Sequence, residues 1–510
     1  MKRRDLCDVD SQTSRLHATA VEKRLHLPKA VFVLFCVETL FSVPYLSVFL
    51  FRRSVLLAWA AALCVLAVAG IFFRFRHSLL LLLGRILRAP SIGNRVWLSF
   101  WLIFGLALRL AWALLFPVTL KSDHLAYFQG AAVFAGGHTG TGAYWPPGFS
   151  LFLAPFFMLF GAHRWVAQLC ALLFFVATYL MTYALANRIQ GGLTSRIAPM
   201  LVAIWPGYFT EAGINIKEVF LAALVPAAMF LYWKASDCRS ARAAGLGSEP
   251  DSWPGPNGAR FRWGFVIAAG LCMGFAALTQ PGYLLFPAVT LGVEMLRAKS
   301  ILQAVGRTAV FSIAFVFAIL PWTYRNYLVF HRMVLITAGG GSVFYDANNP
   351  LATGNYIPEG EIPLPKDQFE ADRLGYKLAK DWILHHPGDF AALMVRKQVV
   401  FLGDDADGAY ETLKRDLDPS VALYASVKGI SNLFWLFLWT MLLLGSPLLF
   451  RLSNWRLWFG LLFLPLLYQW AIDTVFQSGG RHHIPYVALI GVLVGMVLNS
   501  AIQQEPKPNP

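Results

Sequence analysis

The stretch from Lys121 to Gly148, KSDHLAYFQGAAVFAGGHTGTGAYWPPG, follows directly on an apolar run and sets Lys121, Asp123 and His124 side by side, with Tyr127 one helical turn further on. A carboxylate at the start of such a segment can take the proton of a hydroxyl nucleophile, provided the acceptor comes within hydrogen-bond distance. The same aspartate also suits a helix N-cap, where it stabilises the helix by about 1 kcal/mol. Cations that could receive a departing phosphate occur further along. Arg325 with Asn326 follows Pro321-Trp322, and Arg481 stands beside His482 and His483. Guanidinium groups bind phosphate oxygens in pairs, and Lys121 or Lys217 could add a point charge. Each of these cations, taken singly, also fits an interfacial anchor at a helix end.

Glu211 and Glu218 fall between two short apolar runs, where ionisable groups are costly and therefore functional candidates. Tyr144, Trp145, Trp205 and Tyr208 suit either a sugar face or the aromatic belt of a membrane interface. Asp404, Asp405 and Asp407 have the oxygen chemistry of a divalent-ion site but read as a loop. Arg109, inside an apolar run, calls for a structural partner. No CxxC or HExxH spacing occurs, and the six cysteines (Cys7, Cys36, Cys64, Cys170, Cys238 and Cys272) imply neither a disulfide framework nor a structural metal.

The elements that must position these groups are membrane spans. The chain is 57% hydrophobic and 14% charged, far from the roughly 25% charged residues of soluble chains. Apolar runs at 30–50, 54–73, 96–117, 165–187, 195–210, 214–233, 263–279, 282–297, 305–322, 429–450, 455–475 and 483–502 predict about twelve transmembrane helices. A further run, 147–162, opens with Pro146-Pro147-Gly148 and either spans or lies flat. The net charge of +15 resides in short connections rather than in one patch, which points to a membrane and away from nucleic acid. With 147–162 lying flat, the Lys/Arg-rich connections all fall on the cytoplasmic side, although Arg52 and Arg53 run against the pattern. The N-terminal tail and its first run read as a retained signal anchor. Residues 234–262, rich in Ser, Gly, Pro and Ala, read as a cytoplasmic linker.

On this topology the Lys121–Trp145, Glu211–Glu218 and Gln477–His483 segments share the exported side with a stretch of about a hundred residues, 324–428. So long a loop is usually functional. It carries turn signals at Gly339-Gly340-Gly341 and Asn348-Asn349-Pro350 and an amphipathic helix near Lys366–His385, and reads as a small exported α/β or irregular subdomain.

SDHLAYFQGAAVFAGG followed by YWPPGFSLFLAPFFMLFG resembles the first exported loop of the bacterial protein-mannosyltransferase-like GT-C glycosyltransferases, a family 39-like group that includes the lipid A aminoarabinose transferases. Leu320–Tyr356 resembles the same group's segment after a later span, and Gly270–Pro281 and Arg481–Tyr486 are weaker echoes. The likeness runs from Val96 to about Ser500 and leaves the helix pair at 30–73 outside it. It implies an all-α polytopic GT-C fold divided into four parts. These are an N-terminal tail with an extra helix pair (1–95), a transmembrane core (96–323) with its first exported loop (118–164), the exported subdomain (324–428), and C-terminal helices with a short cytoplasmic tail (429–510).

It also implies a sugar carried on a polyprenyl phosphate, an acceptor hydroxyl on a glycan, lipid or protein, a site facing the periplasm across the inner membrane, and Asp123 as base. The phosphate would leave from the face opposite the attacking oxygen, as in other inverting displacements. Oligosaccharyltransferases place paired acidic residues in this loop. Here Asp123 stands without an acidic neighbour between Lys121 and His124, so no metal or other cofactor is expected. A secondary transporter would show repeat symmetry and a midplane site, which the sequence lacks. An O-antigen ligase or polymerase, also built with a large exported loop bearing Arg and His, remains the alternative from another enzyme group.

Overall fold

The computed structural model describes residues 4–87, 92–140, 142–235, 262–298, 300–355, 363–414 and 421–504. The linker expected at 234–262 and the C-terminal tail fall almost wholly outside them. The chain is an all-α, multi-pass membrane protein. Among the described residues eight helices are long and apolar enough to cross a bilayer: His26–Leu50, Val55–Arg74, Asn94–Leu115, Arg164–Ile189, Ile301–Phe330, Ala422–Leu449, Trp455–Val475 and Gly480–Gln503.

The expected count of about twelve is not reached, and the causes are local. The run at 195–210 breaks at Pro206, leaving an 11-residue helix Thr194–Ile204. The run at 282–297 begins as a tight turn, Pro281–Leu285, before the 12-residue helix Phe286–Arg297. Lys217–Lys234 has charged residues at both ends, and Trp263–Thr279 reaches 17 residues. The run after Pro146-Pro147 forms Gly148–Phe160, 13 residues and therefore about 20 Å, short of the roughly 30 Å of hydrocarbon. Between Arg74 and Arg95, where a plain connection is expected, a further helix, Arg76–Leu87, packs through Gly84 on Ile502.

The last span lies at the centre. VALIGVLVGMVLNSA is apolar on every side, and Val487–Ala501 is buried throughout. A helix without a polar face belongs inside a bundle. Gly491 and Gly495, four residues apart, let its backbone approach the Ala198 and Thr194 carbonyls, where a Cβ would sit at 3.2 and 3.1 Å. Gly270 and Gly274 do the same for Trp263–Thr279 against Phe311 and Phe315. Small residues at this spacing are what lets helices associate in lipid, where burial from water supplies no driving force.

Arg109 finds its structural partner at the Pro206 break. Proline has no N–H, so the Val202 carbonyl loses its helical donor. Arg109 supplies one, with Nη2 at 3.2 Å from Val202 O and Nη1 at 2.9 Å from Ala203 O, while its guanidinium lies over Phe175 and Tyr208. The break is thus satisfied without water and turns the chain toward Glu211.

The 324–428 segment is helical, and no strand occurs among the described residues, which corrects the expected α/β element. Gln368–His385 matches the predicted amphipathic helix and is capped by Asp367, whose carboxylate accepts from Phe369 N at 3.1 Å and Glu370 N at 2.9 Å. The triple glycine expected to turn instead starts the helix Gly340–Ala347, which Asn348 ends. Its glycines serve close contact: a Cβ on Gly341 would run into the Asp372 carbonyl, and one on Gly375 into Gly341.

Candidate active site

The buried last span opens with a tight turn, Gly480–Tyr486, that carries Arg481, His482 and His483 to the polar end of the bundle. Arg481 Nη2 donates to Asp123 Oδ2 at 2.8 Å, and its Nε lies 3.6 Å from Glu218 Oε1. Asp123 is the second residue of the helix Ser122–Ala135. Ser122 enters it with φ of 47°, a conformation that non-glycine residues rarely adopt, and donates its hydroxyl to Asp123 Oδ1 at 3.1 Å. The helix is pinned from two sides, by Ser150 Oγ on the Tyr127 carbonyl (2.9 Å) and by Asn215 Nδ2 on the His124 carbonyl (3.0 Å). Burial would raise the Asp123 carboxyl, but the Arg481 guanidinium and the Lys217 ammonium outweigh it and hold the group well below the usual carboxylate range.

Lys217 begins the helix after the Glu211 turn, with its ammonium 3.4 Å from Glu218 Oε1 and over the Tyr127 ring at 5.6 Å. Tyr127 is buried and meets the edges of Trp145 and Phe149. Glu218 and Glu211 are fully buried, and the carboxylate oxygens of both lack hydrogen-bond partners among the described residues. Burial, then the nearby Asp407 and Glu218 carboxylates, push the Glu211 carboxyl well up.

The aspartates that the sequence left in a loop belong to this site. The 404–411 segment docks on the Pro206 break through two glycines. Gly207 leaves room for Asp405, and Gly408 admits Thr210 Oγ1, which a Cβ would meet at 2.5 Å. Asp405, fully buried, accepts from Trp205 Nε1 at 2.8 Å and lies 2.7 Å from His483 Nε2, whose ring stacks on Trp435 at 4.3 Å. This clamp presents Asp404, Asp407 and Glu411 to the cavity. Asp404 pairs with Lys428. Burial raises the Asp407 carboxyl to about 6, with Arg481 opposing and Glu411, Asp404 and Glu218 adding to the rise. A second buried chain runs inward: His482 Nδ1 is 2.8 Å from Asp473 Oδ2, Gln469 Nε2 donates to Asp473 Oδ1 at 2.8 Å, and Tyr486 reaches Gln469 at 3.2 Å.

These groups line a cavity of about 1720 Å³. Asp123, His124, Tyr127, Trp145, Lys217, Arg481 and His482 all contribute to its wall, as do Asp407, Lys428 and Arg53. Glu218 stands behind the wall, against Arg481. Lys121 is exposed and outside the lining, so the cations beside Asp123 are Arg481 and Lys217.

Arg325 and Asn326, expected at the donor phosphate, are not among the residues that line this cavity. Arg325 donates to the Thr139 carbonyl at 2.8 Å and to the Gly140 carbonyl, and it stacks over Trp322. Asn326 donates to the Val334 and Ile336 carbonyls at 3.0 and 3.1 Å. Both fasten loops, and a guanidinium so engaged has little left for a phosphate. Among the described residues no three His, Cys, Asp or Glu side chains converge on a metal position.

A carboxylate paired with a guanidinium, with an ammonium beside it, on the wall of a cavity can bind an anionic ligand and move a proton at one position.

No model of a known protein family matches the sequence, and no curated protein matches it significantly. Among solved structures, the chain is similar to the oligosaccharyltransferase AglB of Archaeoglobus fulgidus, in complex with an inhibitory peptide and a dolichol-phosphate. The identity is 13% and the TM-score 0.47, over 80% of this chain and 51% of that one. The chain thus spans about half the length of AglB. It is also similar to ArnT of Cupriavidus metallidurans bound to undecaprenyl phosphate, at 15% identity and a TM-score of 0.40, over 80% of this chain and 78% of that one.

Proposed function

We propose that the protein is a membrane glycosyltransferase that moves a sugar from a polyprenyl-phosphate donor to an acceptor hydroxyl, with inversion, at a site facing the periplasm. The observation that carries this is the Asp123–Arg481 pair on the wall of a large cavity, with Lys217 beside it. Arg481 and Lys217 receive the donor phosphate. Once the phosphate engages Arg481, the guanidinium no longer holds the Asp123 charge, and the carboxylate becomes basic enough to accept the acceptor's proton. The acceptor oxygen then bonds to the anomeric carbon as the carbon–phosphate-oxygen bond breaks, and the electron pair leaves with the lipid phosphate. Trp145, partly exposed on the wall, offers a face for the sugar.

The test is reconstitution of the purified protein in vesicles with labelled polyprenyl-phosphate sugars and an envelope glycolipid and protein fraction as acceptor. Release of polyprenyl phosphate matched by label in an acceptor supports the proposal, and its absence with every donor sugar refutes it. Cysteine labelling of intact cells checks sidedness: a cysteine at position 380 should react and one at position 255 should not.

A further inference from the structure

The sequence resemblance leaves the N-terminal helix outside the enzyme, yet that helix forms part of the cavity. Val43, Pro44 and Leu50 line it, together with Leu433 and Leu436 of the adjoining Ala422–Leu449 span. We propose that the outer half of the N-terminal helix is a wall of the donor site along which the polyprenyl chain lies. This rests on the transfer reading above and adds where the lipid runs.

The donor is an amphiphile. Its phosphate must reach Arg481 and Lys217 while its chain stays in hydrocarbon, so the cavity has to pass without interruption from cationic to apolar at bilayer depth. The wall built by these two helices has that character. Leu433 is 67% exposed and Leu50 43%, large apolar side chains bordering a space that protein does not fill.

The helix is also tied to the 404–411 segment, which a mere anchor would not require. Asn432 donates to Ser47 Oγ at 3.3 Å and accepts from the Asp405 backbone N–H at 2.9 Å. Gly403, one residue before Asp404, sits so close to Leu46 and the Ser42 carbonyl that a Cβ would meet each at 2.9 Å. Lipid filling the wall therefore presses on the element that presents Asp404 and Asp407. Because a chain moving from bilayer to protein gains no burial from water, the wall acts by orientation, and its effect is on recognition of chain length.

Two measurements on the full-length protein test this. A diazirine-bearing undecaprenyl phosphate should label the peptide containing residues 43–50 as well as that containing 433–436; label absent from 43–50, whether confined to 433–436 or to the other apolar flank, Leu284 and Leu285, would overturn the proposal. In a farnesyl, geranylgeranyl and undecaprenyl series of donor sugars, KM should fall with chain length by roughly tenfold, the range of a single packing contact. Leu433→Trp, at an exposed position that fold packing does not constrain, should remove most of that fall. A chain-length dependence identical in Leu433→Trp and the parent overturns the wall and leaves the transferase reading intact. A parent protein that binds no polyprenyl phosphate of any length instead refutes the transferase reading itself.

Discussion

Replacing Asp123 by Asn is the most direct perturbation, because the amide keeps the shape and loses the ability to take a proton. In the structure Asp123 Oδ2 accepts from Arg481 Nη2 at 2.8 Å, and an amide oxygen can accept the same bond. Both side chains are partly exposed, 20% for Asp123 and 23% for Arg481, and Arg481 keeps Glu218 at 3.6 Å. The loss is therefore well short of the 3–5 kcal/mol that breaking a fully buried pair costs. About 1 kcal/mol is expected, the scale of one weakened hydrogen bond, so the variant should fold and bind. With one carboxylate fewer beside Arg481, affinity for polyprenyl phosphate should be unchanged or tighter. Turnover should fall by roughly 10²–10⁴, the range general-base catalysis contributes. Purified Asp123→Asn is assayed for lipid binding by fluorescence and for transfer by label in the acceptor. Stable, donor-binding protein that transfers within a few fold of the parent rate would show that the base lies elsewhere, with His482, oriented by Asp473, next in line.

A base acts only when deprotonated, so its activity is lost as pH falls through its pKa. Asp123, held far down by Arg481, should leave kcat/KM flat from about pH 5 to 8, whereas a limb centred near 6 would mark Asp407 instead. Arg481→Gln leaves Asp123, Glu211, Glu218 and Asp407 without their shared cation; it should weaken donor binding by at least tenfold and lower Tm by several degrees, with Arg481→Lys recovering part of both. Unchanged donor affinity in Arg481→Gln would place the phosphate elsewhere. Gly341→Val should destabilise the packing of helices Gly340–Ala347 and Gln368–His385 by about 1–3 kcal/mol, the usual cost of overpacking, measured as increased protease sensitivity of 324–428.

The half of the site built from local sequence was legible. Asp123 could be singled out because a helix start follows a span there, and Gln368–His385 because its apolar residues recur at helical spacing. Arg481 and His482 drew attention as polar groups at the mouth of a span. What stayed hidden depends on how distant segments meet. Asp404, Asp407 and Lys428 look like an ordinary polar loop until Gly207 and Gly408 bring that loop against the Pro206 break. Arg325 shows the reverse, since an arginine at a span end gives no sign that it will bond the carbonyls of residues 139 and 140, almost two hundred positions earlier. The difference between about twelve apolar runs and eight long apolar helices has a related reason: apolar composition shows which residues avoid water, but not where a proline or a tight turn interrupts the helix that carries them.

The order of the spans along the chain bears on how the bundle closes. Helix Gly480–Gln503 follows the other seven spans in sequence and is the most deeply buried of the eight, so those seven must enter the bilayer around a place still unfilled. The Ala198 and Thr194 carbonyls, which Gly491 and Gly495 approach, stay uncovered until it arrives, and Asp123 stays without Arg481. Closing the bundle and completing the Asp123–Arg481 pair are thereby the same event: a chain arrested before Gly480 should insert, remain loosely packed and be cleared by membrane proteases, while a chain that extends through Gln503 survives. Equal lifetimes of the two in pulse-chase would show that the bundle closes without its centre.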